Sequence, residues 1–280
     1  MGIDYHGLNF LRYAARQKPF GATATIGRQT IHVGDHVIRK IIEVPDGKHY
    51  GPFCEDLLLN YMGSTLVHSF DNSNYEIATF LHDFNRPIDH SQSYDTVIDF
   101  GALEHIFNIS TALKNVASLC RECGQILHAL PANNFNRHGF WQFSAELFFS
   151  LYSSTNGFAE TEIFVAELND PKHWHRVTRP SGGVRVQYTS PFQSYLLVRT
   201  KEIVAETGDA VQQSDYLDIW EGASPEAGPS SNNQGLISAI KRLPLVWRGF
   251  KLIEENISAR SHRLASNRQF AKVPIGGPQS

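Results

Sequence analysis

Glu104 and His105 place an acid and an imidazole side by side within "YDTVIDFGALEHIFN", just after a run that reads as a buried strand and before the start of a helix. Such a pair at a strand end can trade a proton with a bound molecule, provided that molecule lies within hydrogen-bond reach. The plainer reading of Glu104 is a favourable charge near a helix N-terminus, and that of His105 is a helix-entry imidazole held by a backbone hydrogen bond. His138 is a second imidazole that could act as a base. It lies in "NNFNRHGFWQF", beyond the next strand, with Asn134, Trp141 and Gln142. These residues mix hydrogen-bonding groups with stacking surfaces, as concave sites do. The alternative is an ordered loop whose Phe140, Trp141 and Phe143 plug the sheet end.

The elements that must position them follow from periodicity. "GATATI", "TLVHSF", "IATFLH", "DTVIDF" and "QILHALP" read as five strands. Apolar positions Cys54, Leu57, Leu58, Tyr61 and Met62 recur at helical spacing, so the stretch around them reads as a helix ending at Gly63. A second helix starts at the N-cap Asn108, and a third runs from the cap Ser144 to Gly157. "AETEIFVAEL" and "FQSYLLVRTKE" read as two late strands. Strands alternating with helices predict an α/β fold with a mostly parallel sheet. The expected organisation is a helical segment over 1–20, one α/β domain over 21–202, a linker over 203–235 and a basic helical tail over 236–280.

Composition sets further bounds. The chain has 280 residues, 41% hydrophobic and 19% charged, with a net charge of -3, which gives no electrostatic case for nucleic acid. Its 13 histidines do not fall into a metal-ligand spacing, so no metal is expected. Cys54, Cys120 and Cys123 are too few for a disulfide framework and point to a reducing, cytoplasmic setting. "CREC" lacks the second pair that a zinc site would need. There is no signal-peptide pattern and no run of about 18 apolar residues to span a membrane. Lys241, Arg242, Arg248 and Lys251 beside apolar residues in the tail could dock on an anionic membrane surface, or the tail could pack as an ordinary helix.

In open α/β sheets, ligands bind outside the carboxyl ends of the strands. Asp71 and Asp83 stand at two successive strand ends, where carboxylates suit hydroxyl and amine donors. Taken singly, each acid reads equally well as a solvated turn residue.

The run "LVHSFDNSNYEIATFLHDFNRPI", followed by "YDTVIDFGALEHIFN" and its helix and strand, resembles class I S-adenosylmethionine-dependent methyltransferases. Continuing through "PANNFNRHGFWQFSAELFFSLYSSTNGF", it is similar to a subgroup of bacterial methyltransferase-domain proteins, over roughly residues 21 to 200. The resemblance implies a Rossmann-like sheet with helices on both faces. It implies that Asp71, with Asn72 and Ser73, binds the ribose of S-adenosyl-L-methionine. Asp83 would accept from the adenine amino group and Phe84 would lie against the ring. Gly27, Asp99, Phe100 and Gly101 would line the rest of the cofactor. Glu104 would face the methyl-transfer centre with His105, and the acceptor would be a small molecule offering O or N.

One departure stands out. The resemblance implies an acid and a G-x-G run at the first strand, and this chain has "TIGRQT" with Gly27 alone. The alternative this motivates is a methyltransferase-like binding or scaffold module without catalysis. A nicotinamide-dependent enzyme is disfavoured, since no G-x-G-x-x-G follows the first strand.

Overall fold

The computed structural model describes residues 2–89, 91–179, 185–203, 211–213, 216, 220 and 262–277. The linker over 203–235 and the basic positions Lys241, Arg242, Arg248 and Lys251 lie almost wholly outside the described residues. Among the described residues no helix is long and apolar enough to cross a membrane.

The chain opens with β1 (Gly2–Ile3) and α1 (Tyr5–Gln17), whose N-cap Asp4 accepts from the Gly7 N–H at 2.8 Å. Then come β2 (Gly21–Ile26), β3 (Thr30–Ile31), α2 (Asp35–Ile42), α3 (Glu55–Tyr61) and β4 (Ser64–Asp71). They are followed by β5 (Phe80–Leu81), β6 (Tyr94–Phe100), a 3-10 turn (Leu103–His105), α4 (Ile109–Leu119) and β7 (Cys120–Asn133). The last part holds α5 (Ala145–Leu151), β8 (Phe158–Glu167), β9 (His173–Val177), β10 (Ser194–Ile203) and β11 (Phe270–Pro274).

Nine strands form one sheet in the order β11-β9-β8-β10-β7-β6-β2-β4-β5. The fold is α/β, but the sheet is mixed and not mostly parallel. Pairings β2–β4, β2–β6, β4–β5 and β6–β7 are parallel, whereas β7–β10, β10–β8, β8–β9 and β9–β11 are antiparallel. The division follows the helices. Parallel neighbours need a crossover connection, and α4 supplies one between β6 and β7, whereas β8 passes to β9 through the short stretch 168–172 with no helix. The sheet also extends beyond the expected boundary at 202. Phe270–Pro274, within the expected helical tail, is a strand beside β9.

Helices cover both faces. Alternation along the central strands sends Val97, Ile126, Val165 and Val198 toward α4 and α5. It sends Ile98, Leu127, Phe164 and Leu197 toward α1, α2 and α3. Strands buried on both faces read as continuous apolar runs for this reason. The caps expected from sequence form: Asn108 accepts from Thr111 N–H, and Ser144 from Leu147 N–H. The third helix stops at Leu151, and Gly157 closes a separate 3-10 turn in the left-handed region.

The missing glycine loop has a structural counterpart. Residues 30–53 leave the end of β2 and fold back on themselves. Cys54 N–H donates to the Gln29 carbonyl at 3.0 Å and Ile31 N–H to Pro52 at 2.9 Å, with a bridge between Thr30 and Phe53. α3 therefore starts beside the end of β2, as a helix following that strand directly would.

Candidate functional site

The carboxyl ends of β2, β4, β5 and β6 enclose a cavity of about 250 Å³, with Gly27, Asp71, Asn72, Asp83, Phe84 and His105 in its wall. His82, Asn85 and Ala102 complete that end of it. Gly27 sits at φ 72, which a side chain would resist, and its N–H donates to Phe70 at 2.7 Å. Parallel pairing of Ile26 with Phe70 and with Asp99 keeps these strand ends level.

Both strand-end acids are held by their own turns. Asp71 Oδ1 accepts from the Ser73 N–H at 3.0 Å. Asp83 Oδ1 accepts from the Asn85 N–H at 3.0 Å and the Asn85 amide at 2.8 Å. The Asn85 side-chain amide, then its backbone N–H, holds the Asp83 carboxyl below the usual range. These turns use Oδ1 and fix how each carboxylate enters the cavity. Ser73 supports Asp71 from behind and is absent from the cavity wall.

A second cavity, about 210 Å³, lies at the ends of β6 and β7, against the start of α1. Asp4, Phe100, Gly101, Glu104, His138 and Tyr195 line it. Phe100 and Gly101 thus face a different space from Asp71 and Asp83. Asp99 lines neither. It is fully buried, with Oδ2 2.8 Å from His128 Nδ1 and Oδ1 accepting from the Ala102 and Leu103 N–H groups at 3.1 and 3.3 Å. That arrangement makes Asp99 the anchor of the turn that carries Glu104 and His105.

Glu104, His105 and His138 meet between the two cavities. The imidazoles of His105 and His138 lie 4.9 Å apart, the first on the wall of the larger cavity and the second on that of the smaller. Glu104 Oε1 is 3.3 Å from His138 Nε2 and 3.9 Å from His105 Nε2. The Glu104 side chain is 1% exposed, and its Oε2 has no hydrogen-bond partner. Burial, then the charge of Asp99, pushes the Glu104 carboxyl up to about 8, so it carries a proton at neutral pH. Burial, then the neighbouring His138, holds the His105 imidazole below its ordinary value, so it is neutral there.

The loop after β7 closes over Glu104. Its carbonyl accepts from the Phe140 N–H at 2.7 Å and the Trp141 N–H at 3.4 Å. Gly139 packs so near that a Cβ there would lie 2.6 Å from the same oxygen. Of the loop residues Asn134, His138, Trp141 and Gln142, His138 lines the smaller cavity and the other three line neither. Asn134 donates to the Ser190 and Phe192 carbonyls, Trp141 Nε1 to Ile106 at 2.9 Å, and Gln142 accepts from the Phe135 N–H at 2.9 Å. They brace the loop, because its turns leave main-chain groups that need partners. Asn85 and Asp4 are cavity residues that sequence reasoning did not select. Asn85 had a signal, two residues after a strand-end acid, whereas Asp4 reads only as a helix cap.

No protein-family model matches the chain, and no curated protein matches its sequence. Among solved structures, it is similar to TehB from Haemophilus influenzae at 12% identity, over 69% of this chain and 61% of that one, with a TM-score of 0.40. The chain therefore spans about three fifths of TehB. It is also similar to an S-adenosylmethionine-dependent methyltransferase, a possible histamine N-methyltransferase, from Thermotoga maritima (14% identity, 71% and 90% covered, TM-score 0.36). A third is the N-methyltransferase NodS from Bradyrhizobium japonicum (10% identity, 69% and 92% covered, TM-score 0.38). At these values the likeness bears on neither the substrate nor the role of any residue.

Proposed function

We propose that this chain is an S-adenosylmethionine-dependent methyltransferase acting on an oxygen or nitrogen of a small acceptor. The observation that carries the reading is the larger cavity, where two strand-end carboxylates, Asp71 and Asp83, meet Phe84, Gly27 and His105. This donor set fits an adenosine group. Carboxylates accept from ribose hydroxyls and from an exocyclic amine, and an aromatic side chain offers an apolar wall. The sequence resemblance assigns Asp71 and Asp83 the same partners.

S-adenosylmethionine would supply a methyl group on a sulfonium, open to in-line attack. The chain's own part is alignment and exclusion of water. Asp71 and Asp83 would orient the adenosine end. The loop after β7 covers Glu104, which is buried beneath it. His105 has a neutral imidazole on the cavity wall and is the leading candidate to take a proton from the acceptor as it attacks. His138 is the second, facing the smaller cavity.

Calorimetry with S-adenosylmethionine and its demethylated product tests the reading. Binding lost in Asp71→Ala but kept in Asp35→Ala, whose carboxylate pairs with Arg39 away from the cavity, is the expected result. No binding of either compound to the folded protein would overturn it, in favour of a binding or scaffold module without catalysis.

A further inference from the structure

We infer that Glu104, His105 and His138 form a site for a divalent first-row transition-metal cation. Each offers one ligand atom, and the three atoms lie within 4.8 Å of one another. Among the described residues this is the one place where three His, Cys, Asp or Glu side chains converge in this way. Bonds of about 2.0–2.2 Å to nitrogen and oxygen would put the donors roughly 3–3.5 Å apart. Glu104 Oε1 and His138 Nε2 already stand at 3.3 Å. His105 Nε2, at 3.9 Å, must close by less than an ångström. Both imidazoles are about half exposed, and their nitrogens, within 4.8 Å of each other, would draw together in the same movement.

The 3.3 Å approach of His138 Nε2 engages Oε1 alone. Oε2 stays buried without a partner, and a buried polar oxygen left unpaired is destabilising. A cation on this carboxylate would offset that cost. The carboxylate is held in place for it: Asp99 ties down the N–H groups of Ala102 and Leu103, and Phe140 and Trp141 hold the Glu104 carbonyl. The ligand set also narrows the metal. Two imidazoles and one carboxylate suit zinc, cobalt, nickel or iron, whereas magnesium and calcium prefer all-oxygen sets. Three protein ligands leave at least one position open, which marks a reactive site rather than a closed structural one. That position would face the cavities His105 and His138 line.

The cation would take the same lone pairs that a proton does, so the site is tested apart from any cofactor. The full chain is stripped with a chelator, dialysed and titrated with cobalt chloride and then zinc chloride by calorimetry, while the cobalt visible spectrum is recorded. The expected result is one equivalent of cobalt bound, ligand-field bands in the visible, and displacement by zinc. His138→Ala and Glu104→Gln should each weaken cobalt binding at least tenfold, whereas His173→Ala, an imidazole paired with Asp170 elsewhere, should not. If Glu104→Gln does not fold, His138→Ala and His105→Ala decide, since both rings are half exposed. Absence of binding, binding of magnesium alone, or affinity unchanged in His138→Ala and His105→Ala would each overturn the inference. S-adenosylmethionine is absent throughout, so failure here leaves the methyl-transfer reading standing, whereas a bound cation would occupy the lone pairs of His105 and His138 and pass the proton-accepting role to a group at its open position.

Discussion

Asp99 on β6 and His128 on β7 face each other at 2.8 Å, and neither side chain has any exposed surface. His128 Nε2 continues the chain to the Tyr152 hydroxyl at 2.7 Å. Burial pushes the Tyr152 hydroxyl well above its ordinary value, so it keeps its proton. Both ring nitrogens of His128 thus have a buried partner, Asp99 Oδ2 on one side and the Tyr152 hydroxyl on the other. The line ends under the turn that bears Glu104 and His105.

Breaking that line should cost stability more than shape. His128→Phe leaves the buried Asp99 Oδ2 without its hydrogen-bond partner, and the expected loss is about 1–3 kcal/mol. Tyr152→Phe removes one hydrogen bond and should cost about 1–2 kcal/mol. Urea unfolding followed by circular dichroism measures both. A loss under 1 kcal/mol in His128→Phe would show that the pair does not anchor the turn.

Gly139→Ala should loosen the loop over Glu104. Gly139 sits at φ 71, and its Cβ would come 2.6 Å from the Glu104 carbonyl oxygen. Left-handed strain of about 1–2 kcal/mol adds to an overpacking cost of about 1–3 kcal/mol. Hydrogen exchange at the Phe140 amide, bonded to that carbonyl, should speed up by tenfold or more, while exchange in β6 and β7 changes little.

Asp83→Asn should keep the turn and lose the charge, because an Asn oxygen can still accept from Asn85. Under the methyltransferase reading, S-adenosylmethionine binding should weaken about tenfold to a hundredfold, the worth of one charge-assisted hydrogen bond. An unchanged dissociation constant by calorimetry would remove Asp83 from the adenine site.

The stability that neutral, buried His6 contributes should fall below neutrality, while Glu104, whose carboxyl is raised to about 8, works in the opposite sense because the folded state takes up its proton first. His6 is buried under Trp174, whose Nε1–H donates to His6 Nδ1 at 3.1 Å. Burial holds the His6 imidazole below its ordinary 6.5, with Asp4 and Asp170 opposing in part. His175 is lowered for the same leading reason. A depressed folded value means the unfolded chain binds the proton first. This contribution is fully present above about pH 6.5 and is lost as pH falls through the folded value. Urea unfolding at pH 7.5 and 5.5 on the wild type and on His6→Gln isolates the term: on going to pH 5.5 the wild type should lose stability relative to the variant. An identical change in both would assign the acid sensitivity elsewhere.

Much of the framework was legible in the residues. β-branched runs marked the central strands, because strands buried on both faces must be apolar throughout. Asn108 and Ser144 announced their helices, because capping depends on one side chain and the amides next to it. The strand-end positions of Asp71 and Asp83 came from the same local pattern, and the parallel register brought both into one cavity. Where local signals failed, backbone exceptions explain it. β5 is only Phe80–Leu81, since Ile77 at φ 54 breaks the extended run expected over 77–82. β7 begins at Cys120 and passes through Cys123 at φ 58, ahead of the run expected from Gln125.

The sequence by itself determined the alternation of strands and helices, the caps, and the acids at the strand ends, since each depends on neighbours a few residues away. Only the tertiary structure decided three other things. It closed the excursion over 30–53 so that α3 begins beside Gly27. It made the late strands, including β11, antiparallel partners in a mixed sheet. And it folded the loop carrying His138 back onto the Glu104–His105 turn, a meeting of groups distant in sequence that no spacing of histidines along the chain encodes. Long-range pairing depends on how whole elements bury one another, and that information is spread across the core rather than carried by any one motif.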